Sequence, residues 1–225
     1  MPLTLGFDTA TPDTAVAVGG GPERLIGPGP DGRPAHNPAL LPAIEEVVTE
    51  AGGWEAIGLI AVGVGPGSFT GVRIGVPTAR ALAQARGLEI AAVESTAALL
   101  AGIEPADAGA VAVIDARRGE VFAAVDTGAG PGEPVVAPPA DLASALGLQS
   151  LGGLRAGGDG AVRFRSEIEA AGAAVPPDAD PSHRLSARWI CELATGIEAT
   201  GPESIRPQYL RRPDAERWRD RDGNS

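Results

Sequence analysis

The run Gly63-Val64-Gly65-Pro66-Gly67-Ser68-Phe69-Thr70-Gly71-Val72-Arg73-Ile74-Gly75 constrains this chain more than any other stretch. The residues before it, Gly58 to Val64, are continuously apolar, the pattern of a strand buried on both faces. The residues after it, to Arg86, are small and helix-compatible, although Pro77 among them predicts a kink or a delayed start. Strand, glycine-rich turn and helix is the local reading. Amides at such a turn face the positive end of the following helix, so two uses are open. The turn is either an anion cradle or a rigid joint that sets where the helix begins. In the second use Gly65 and Gly67 permit tight geometry, Pro66 stiffens it, and Ser68 or Thr70 caps the helix.

Composition narrows the choice. All eighteen basic residues are Arg, and the chain has no Lys. That removes P-loop chemistry, Schiff-base chemistry and a Lys general base together. A net charge of −11 disfavours the chain as the main nucleic-acid clamp, while leaving room for a local basic patch. The single cysteine, Cys191, permits no internal disulfide, fits a reducing compartment and reads as buried filler. The start lacks a signal-peptide pattern and no apolar run reaches membrane-spanning length, so the expectation is a cytoplasmic protein without membrane contact.

Taken in order, Leu3 to Phe7 reads as a strand ending in Asp8, Thr9 to Asp13 as a turn, Thr14 to Val18 as a second strand and Arg24 to Ile26 as a third. Pro38 to Ala51 reads as a helix with Asn37 as its N-cap. Leu40, Ile44 and Val47 share one face with Ala51, and Leu41 and Val48 lie beside them. A second helix runs from Thr70 to Arg86, with Gly71, Gly75, Ala79 and Ala83 on one stripe that admits a close neighbour. That neighbour is the chain's own sheet or a partner's helix. Leu88 to Val93 is the next strand, and Ser95 caps a helix to Leu100.

The second part starts again with a strand, Ala110 to Asp115, a turn at Arg117-Arg118-Gly119 and a strand, Val121 to Val125. A short helix, Pro139 to Leu146, precedes a glycine-rich stretch at Leu154 to Gly160; Ala161 to Ala171 and Ser186 to Ala199 read as further helices, and Ile205 to Leu210 as extended. Asp8 and Asp115 therefore hold comparable places in two related halves, the plan of an actin-like ATPase superfold with α/β architecture. The halves are residues 1–103, carrying the partner-binding helices, and a reduced 104–211, followed by a flexible tail at 212–225.

Four ordered segments now resemble one family. Gly63 to Gly75 is similar to the signature of the TsaB (YeaZ) family. Phe7-Asp8-Thr9-Ala10-Thr11 resembles its first strand and turn, Asp115 to Phe122 its second-half hairpin, and Pro207-Gln208-Tyr209-Leu210-Arg211 its C-terminal motif. The resemblance implies the two-half actin-like fold and a non-catalytic, dimerising subunit. It implies a catalytic partner, TsaD, which holds ATP and a divalent metal, and a P-loop ATPase, TsaE, in a ternary complex. Together these move a threonylcarbamoyl group onto N6 of adenosine 37 of tRNA. A homodimer is implied when the chain is alone.

Set against this is an ATP-dependent actin-like kinase or transferase with its own active site. Such an enzyme needs a cation site and a phosphate cradle. Asp8 stands where that fold holds a metal-bound water, but Ala10 follows Asp8-Thr9 where working enzymes place Gly, and its Cβ crowds a phosphate. Gly157 and Gly158 lie where related ATPases hold nucleotide, with no Lys beside them. Asp8, Thr9, Gly157 and Gly158 are thus a vestigial nucleotide site or plain turns. The paralogue carries two His four residues apart; here His36 is followed by Leu40, so the metal pair is incomplete. His183 has no partner pattern, and no nucleophile–base pair suggests a peptidase. The expectation is no catalytic residue, no metal and no cofactor on this chain. A partner face is expected at Leu40, Leu41, Ile44, Val47, Val48, Gly71, Arg73, Gly75, Ala79 and Ala83. Arg73, in the first turn of its helix, opposes the dipole and so calls for an acidic partner, on this chain or on TsaD.

Overall fold

The structure is a computed structural model that describes residues 2–211; the tail expected at 212–225 lies outside them. The first half holds β1 (Leu3–Asp8), β2 (Thr14–Val18), β3 (Glu23–Ile26), α1 (His36–Glu50), β4 (Ile57–Gly63), α2 (Phe69–Arg86), β5 (Glu89–Val93) and α3 (Ser95–Ala101). Its sheet runs β3-β2-β1-β4-β5, antiparallel among the first three strands and parallel from β1 through β4 to β5. The second half holds β6 (Gly109–Arg117), β7 (Glu120–Asp126), β8 (Val135–Ala137), α4 (Leu142–Ala145), β9 (Leu154–Gly157), α5 (Asp159–Arg163), α6 (Arg165–Ala170) and α7 (Ala187–Ala194). Its sheet runs β8-β7-β6-β9, again antiparallel and then parallel. β6 matches β1, β7 matches β2, β8 matches β3 and β9 matches β4. No counterpart of β5 occurs among the described residues, which is how the second half is reduced.

Side-chain size sorts the layers. Strand residues alternate between faces. In the first sheet Leu5, Phe7, Val16, Val18, Ile60 and Val62 turn to α1 and α2, forming a core with Leu40, Ile44, Val47, Val48, Val72 and Val76. The opposite face is made of Ala15, Ala17, Ala61 and Ala91, which pack with α3 and α7. The second sheet repeats the rule: Ala110, Ala112 and Ile114 face the same central helices, while Val111 and Val113 face α4 to α6. Small residues on both inner faces let one helical layer fit between two sheets. Gly6 is the closest approach, because a Cβ there would stand 2.6 Å from Cys191 Sγ.

Several sequence expectations are corrected. α1 begins at His36, behind Ala35, and Asn37 lies inside the helix instead of capping it. Ser95 is the first residue of α3 and makes no cap. α2 runs from Phe69 through Pro77 to Arg86, so the start is not delayed. The helix expected over 161–171 divides at Phe164, whose φ of −112° and ψ of 34° leave the helical region. α7 ends at Ala194 instead of Ala199, because Thr200 turns back to pair with Ile90 on the edge of β5. Ser186 precedes α7 but makes no cap bond, since its hydroxyl donates to Glu23 at 2.6 Å. Among the described residues no helix is long and apolar enough to cross a membrane.

Candidate functional site

Parallel pairing of β1 with β4 and of β4 with β5 brings three strand ends together, and Asp8 stands among them. Its side chain is 1% exposed. Oδ1 accepts the Ala10 amide at 2.6 Å, and Oδ2 accepts the Ser95 hydroxyl at 2.6 Å. Ser95 Oγ in turn accepts the Gly65 amide at 3.2 Å, while the Ser95 amide donates to the Gly65 carbonyl at 2.8 Å. Gly63 lies flat against the carboxylate: a Cβ there would collide with Oδ2. Burial raises the Asp8 pKa, and the hydrogen bonds from Ser95, Ala10 and Thr11 pull against it. The strand-end carboxylate is therefore a strut between β1, the signature turn and α3. A cation would have to displace the Ser95 hydroxyl.

The signature turn is occupied too. The Ser68 amide donates to the Ala10 carbonyl at 2.7 Å, and Ser68 caps α2 by accepting the Gly71 amide at 3.2 Å. Of the two expected caps, Ser68 serves; Thr70 lies within the helix. Pro66 forms a cis bond with Gly65.

The small-residue stripe of α2 meets the β1–β2 turn. A Cβ on Gly67 would run into Ala10, one on Gly71 into the Thr9 carbonyl, and one on Gly75 would stand 2.5 Å from Thr9 Oγ1. Thr9 is buried and donates its hydroxyl to the Gly71 carbonyl at 2.8 Å. This corrects the expected partner face: Gly71 and Gly75 hold the chain's own turn. Leu40, Ile44, Val47, Val48, Ala79 and Ala83 are each 1% exposed or less and belong to its own core. Of the ten residues expected there, Leu41 at 55% and Arg73 remain at the surface.

Of the two places expected for an acidic partner of Arg73, this chain or TsaD, this chain offers aromatic rings among its described residues. The Arg73 guanidinium lies 3.8 Å above the Phe69 ring, and Nε donates to the Tyr209 hydroxyl at 3.2 Å. The Phe69 and Tyr209 rings stand 5.0 Å apart. The aromatic faces supply the negative quadrupole in place of a carboxylate. Tyr209 is held there by its neighbour, since the Gln208 amide donates to the Val64 carbonyl at 2.8 Å. Arg211, two residues on, pairs with Glu120 at 2.7 Å on the second-half hairpin. The four segments that resemble the family signature thus meet along one edge of the molecule.

The second-half carboxylate has different company. Asp115 is 7% exposed, and its Oδ2 pairs with Arg163 at 2.8 Å and Arg117 at 3.1 Å. Its Oδ1 accepts the Arg117 amide at 2.8 Å. The Asp115 amide donates to Asp159 Oδ1 at 3.2 Å, and burial pushes Asp159 up to about 6. Gly157 and Gly158 are buried beside this group. A Cβ on Gly158 would collide with the Val113 carbonyl, so the glycine-rich turn packs against its own sheet.

His36 is buried, with Nδ1 2.9 Å from the Thr14 hydroxyl and no partner for Nε2 among the described residues. Burial lowers its pKa, against the field of Asp13. No group of three or more His, Cys, Asp or Glu is placed to hold a metal ion among the described residues. A cavity of about 390 Å³ lies at the opposite end of β6, lined by Leu100, Ile103, Gly109 and Asp126.

Sequence reasoning missed Ser95, Tyr209, Arg163 and Asp159. Strand order contained the signal for Ser95: with β5 two places from β1, the start of α3 falls beside the end of β1.

A two-sheet α/β chain built from two matching halves has the actin-like architecture. Solved structures agree. "YeaZ from Pseudomonas aeruginosa" superposes with a TM-score of 0.73 at 27% identity, over 93% of this chain and 100% of that one. A further structure, of an uncharacterized protein described by similarity to peptidase YeaZ from the same organism, gives 0.72 at 27%, over 94% and 100%. In sequence, the TsaB proteins of Haemophilus influenzae and Escherichia coli, each described as a tRNA threonylcarbamoyladenosine biosynthesis protein, are 40% and 37% identical over 90 residues. Those 90 residues are 39% of this chain, and 38% and 39% of the two relatives; the aligned part thus spans about two fifths of their own length. The family model of TsaD, tRNA N6-adenosine threonylcarbamoyltransferase, matches residues 31–137. The chain is thus similar to the TsaB proteins over that part of its sequence and to the YeaZ structures over nearly its whole fold.

Proposed function

We propose that the chain takes part in forming threonylcarbamoyladenosine on tRNA as a non-catalytic subunit that supports a TsaD-type transferase. The observation that carries this is the state of Asp8. A working actin-like site needs room for a cation beside that carboxylate; here Ser95, Ala10 and Gly63 occupy it. The TsaB description of the relatives supports the pathway, and the TsaD-model match supports kinship with the transferase. In this reading ATP and the divalent metal belong to the transferase. A TsaE-type ATPase joins in a ternary complex, the chain forms a homodimer when alone, and the assembly works in the cytoplasm. In this reading the partner face is formed by outer residues of the two helices, Leu41 on α1 and Arg73 and Pro77 on α2, and their exposure supports it.

The test is reconstitution. The chain, the transferase and the ATPase together should modify a tRNA transcript, and omission of the chain should abolish modification. Leu41→Glu with Pro77→Arg should break co-purification with the transferase while leaving the melting temperature unchanged. Retained co-purification would overturn the interface. Modification by this chain alone would overturn the supporting role.

A further inference from the structure

We propose that the tip of the β6–β7 hairpin is a phosphate-contact site for RNA, formed by Arg117 and Arg163 above the buried Asp115. Both guanidiniums reach the same oxygen, Asp115 Oδ2, at 3.1 and 2.8 Å. Their side chains are 58% and 51% exposed, whereas the Asp115 side chain is 4% exposed. Both cations stand on the solvent side of a buried carboxylate, so the guanidinium edges turned away from Asp115 face water. Each guanidinium carries five N–H donors in a plane suited to phosphate oxygens, and anchoring to Asp115 uses only part of that set.

The backbone points the same way. Arg117 and Arg118 have φ of 64° and 57°, the left-handed region, at consecutive positions. Gly or Asn sits there with less strain, and a larger L-residue costs on the order of 1 kcal/mol. Strain of this kind collects where a side chain must be held for a purpose. The fold does not demand arginine at such a turn, because the matching β1–β2 turn, Thr9 to Asp13, contains no basic residue. Nor does composition explain the cluster in a chain of net charge −11. Asp159, the other acid against this group, is pushed by burial up to about 6, so its opposing charge falls away only as pH drops below that value. The choice of RNA over another phosphate ligand rests on the proposed role in tRNA modification; the site itself does not.

The experiment is fluorescence anisotropy of the full chain with an unmodified tRNA transcript at 50 and 200 mM salt. Two phosphate contacts predict roughly a tenfold loss of affinity across that range. Arg117→Gln and Arg163→Gln should each lower the slope of log K against log salt by about 0.9, and Arg33→Gln, at a distant exposed arginine, should leave it unchanged. If a single variant loses its fold by leaving Asp115 unpaired, Asp115→Asn with both glutamines removes that charge and should still lose the RNA. Equal affinity and slope in folded variants and the unaltered chain would overturn the site, as would no RNA binding at all. Free ATP or inorganic phosphate competing at equal concentration would overturn the assignment to RNA in favour of a small phosphate ligand. RNA binding without co-purification with the transferase would leave this site standing and remove the proposed function. The reverse result would do the opposite.

Discussion

Asp8 and Asp115 end matching strands in the two halves, yet their surroundings solve the same electrostatic problem in opposite ways. Asp8 is wrapped by a hydroxyl, an amide and a glycine, and among the described residues no cation pairs with it. Asp115 is covered by two arginines that reach solvent. A duplicated fold repeats where a carboxylate sits without repeating what the carboxylate does. The first half has made its strand end into a closed joint. The second has made its own into a mount for positive charge.

The sharpest way to break this contrast is to force open the joint. Gly71→Val drives a side chain into the Thr9 carbonyl, which is backbone and cannot turn aside. The expected cost is about 3 kcal/mol or more, read in thermal melts as a fall of roughly 10 °C. Gly128→Ala in the second half meets nothing within 4 Å and should cost about 1 kcal/mol, from its φ of 102°.

Next come the carboxylates themselves. Asp8→Ala strands the Ala10 amide and the Ser95 hydroxyl in the interior, a loss of about 2–3 kcal/mol in denaturant titration. Asp115→Ala releases two half-exposed guanidiniums to water and should cost about 1 kcal/mol. Equal losses would erase the distinction drawn between the halves.

Acid should separate them further. The His36 pKa is lowered by burial, so the unfolded chain binds the proton first, and the stability His36 contributes is lost as pH falls below about 6.5. Asp159 works in reverse. Its folded pKa of about 6 lies above the unfolded value, so the folded state binds the proton first and stability is lost as pH rises from about 4 to about 6. Asp159→Asn should therefore stabilise the chain at pH 7, on the order of 2 kcal/mol, and have no effect near pH 3. His36→Gln should flatten the acid limb below about pH 6.5 in pH-dependent melts.

The smallest effect concerns the layer shared by both halves. Cys191 sits 3% exposed between α7 and the first sheet, and burial pushes its thiol up to about 12. Thiol reagents at pH 8 should label it only in unfolded protein. Labelling of native protein would show that α7 leaves the sheet.

Much of this was legible in the sequence. The β–glycine turn–α unit, the antiparallel starts of both halves and the reduction of the second follow from period, turns and apolar runs. That Leu40, Ile44 and Val47 share one apolar face follows from their helical spacing; that this face turns to the chain's own core, and not to a partner, does not. What was not legible is which surface a small residue serves. Gly71, Gly75 and Ala79 read as room for the chain's own sheet or for a partner helix, and the β1–β2 turn that Gly71 and Gly75 in fact meet was neither, because spacing states that something comes close without saying what. Tyr209 beside Arg73, and Arg163 beside Asp115, join segments 136 and 48 residues apart, which no local pattern encodes.

Calorimetric titration of the isolated full chain with ATP and Mg²⁺, followed by amide NMR, tests the closed joint most directly. A filled Asp8 site predicts no saturable heat and no shifts at Asp8 to Ala10 or at Gly157 to Asp159. Saturable binding that moves those amides, with hydrolysis by this chain alone, would contradict it.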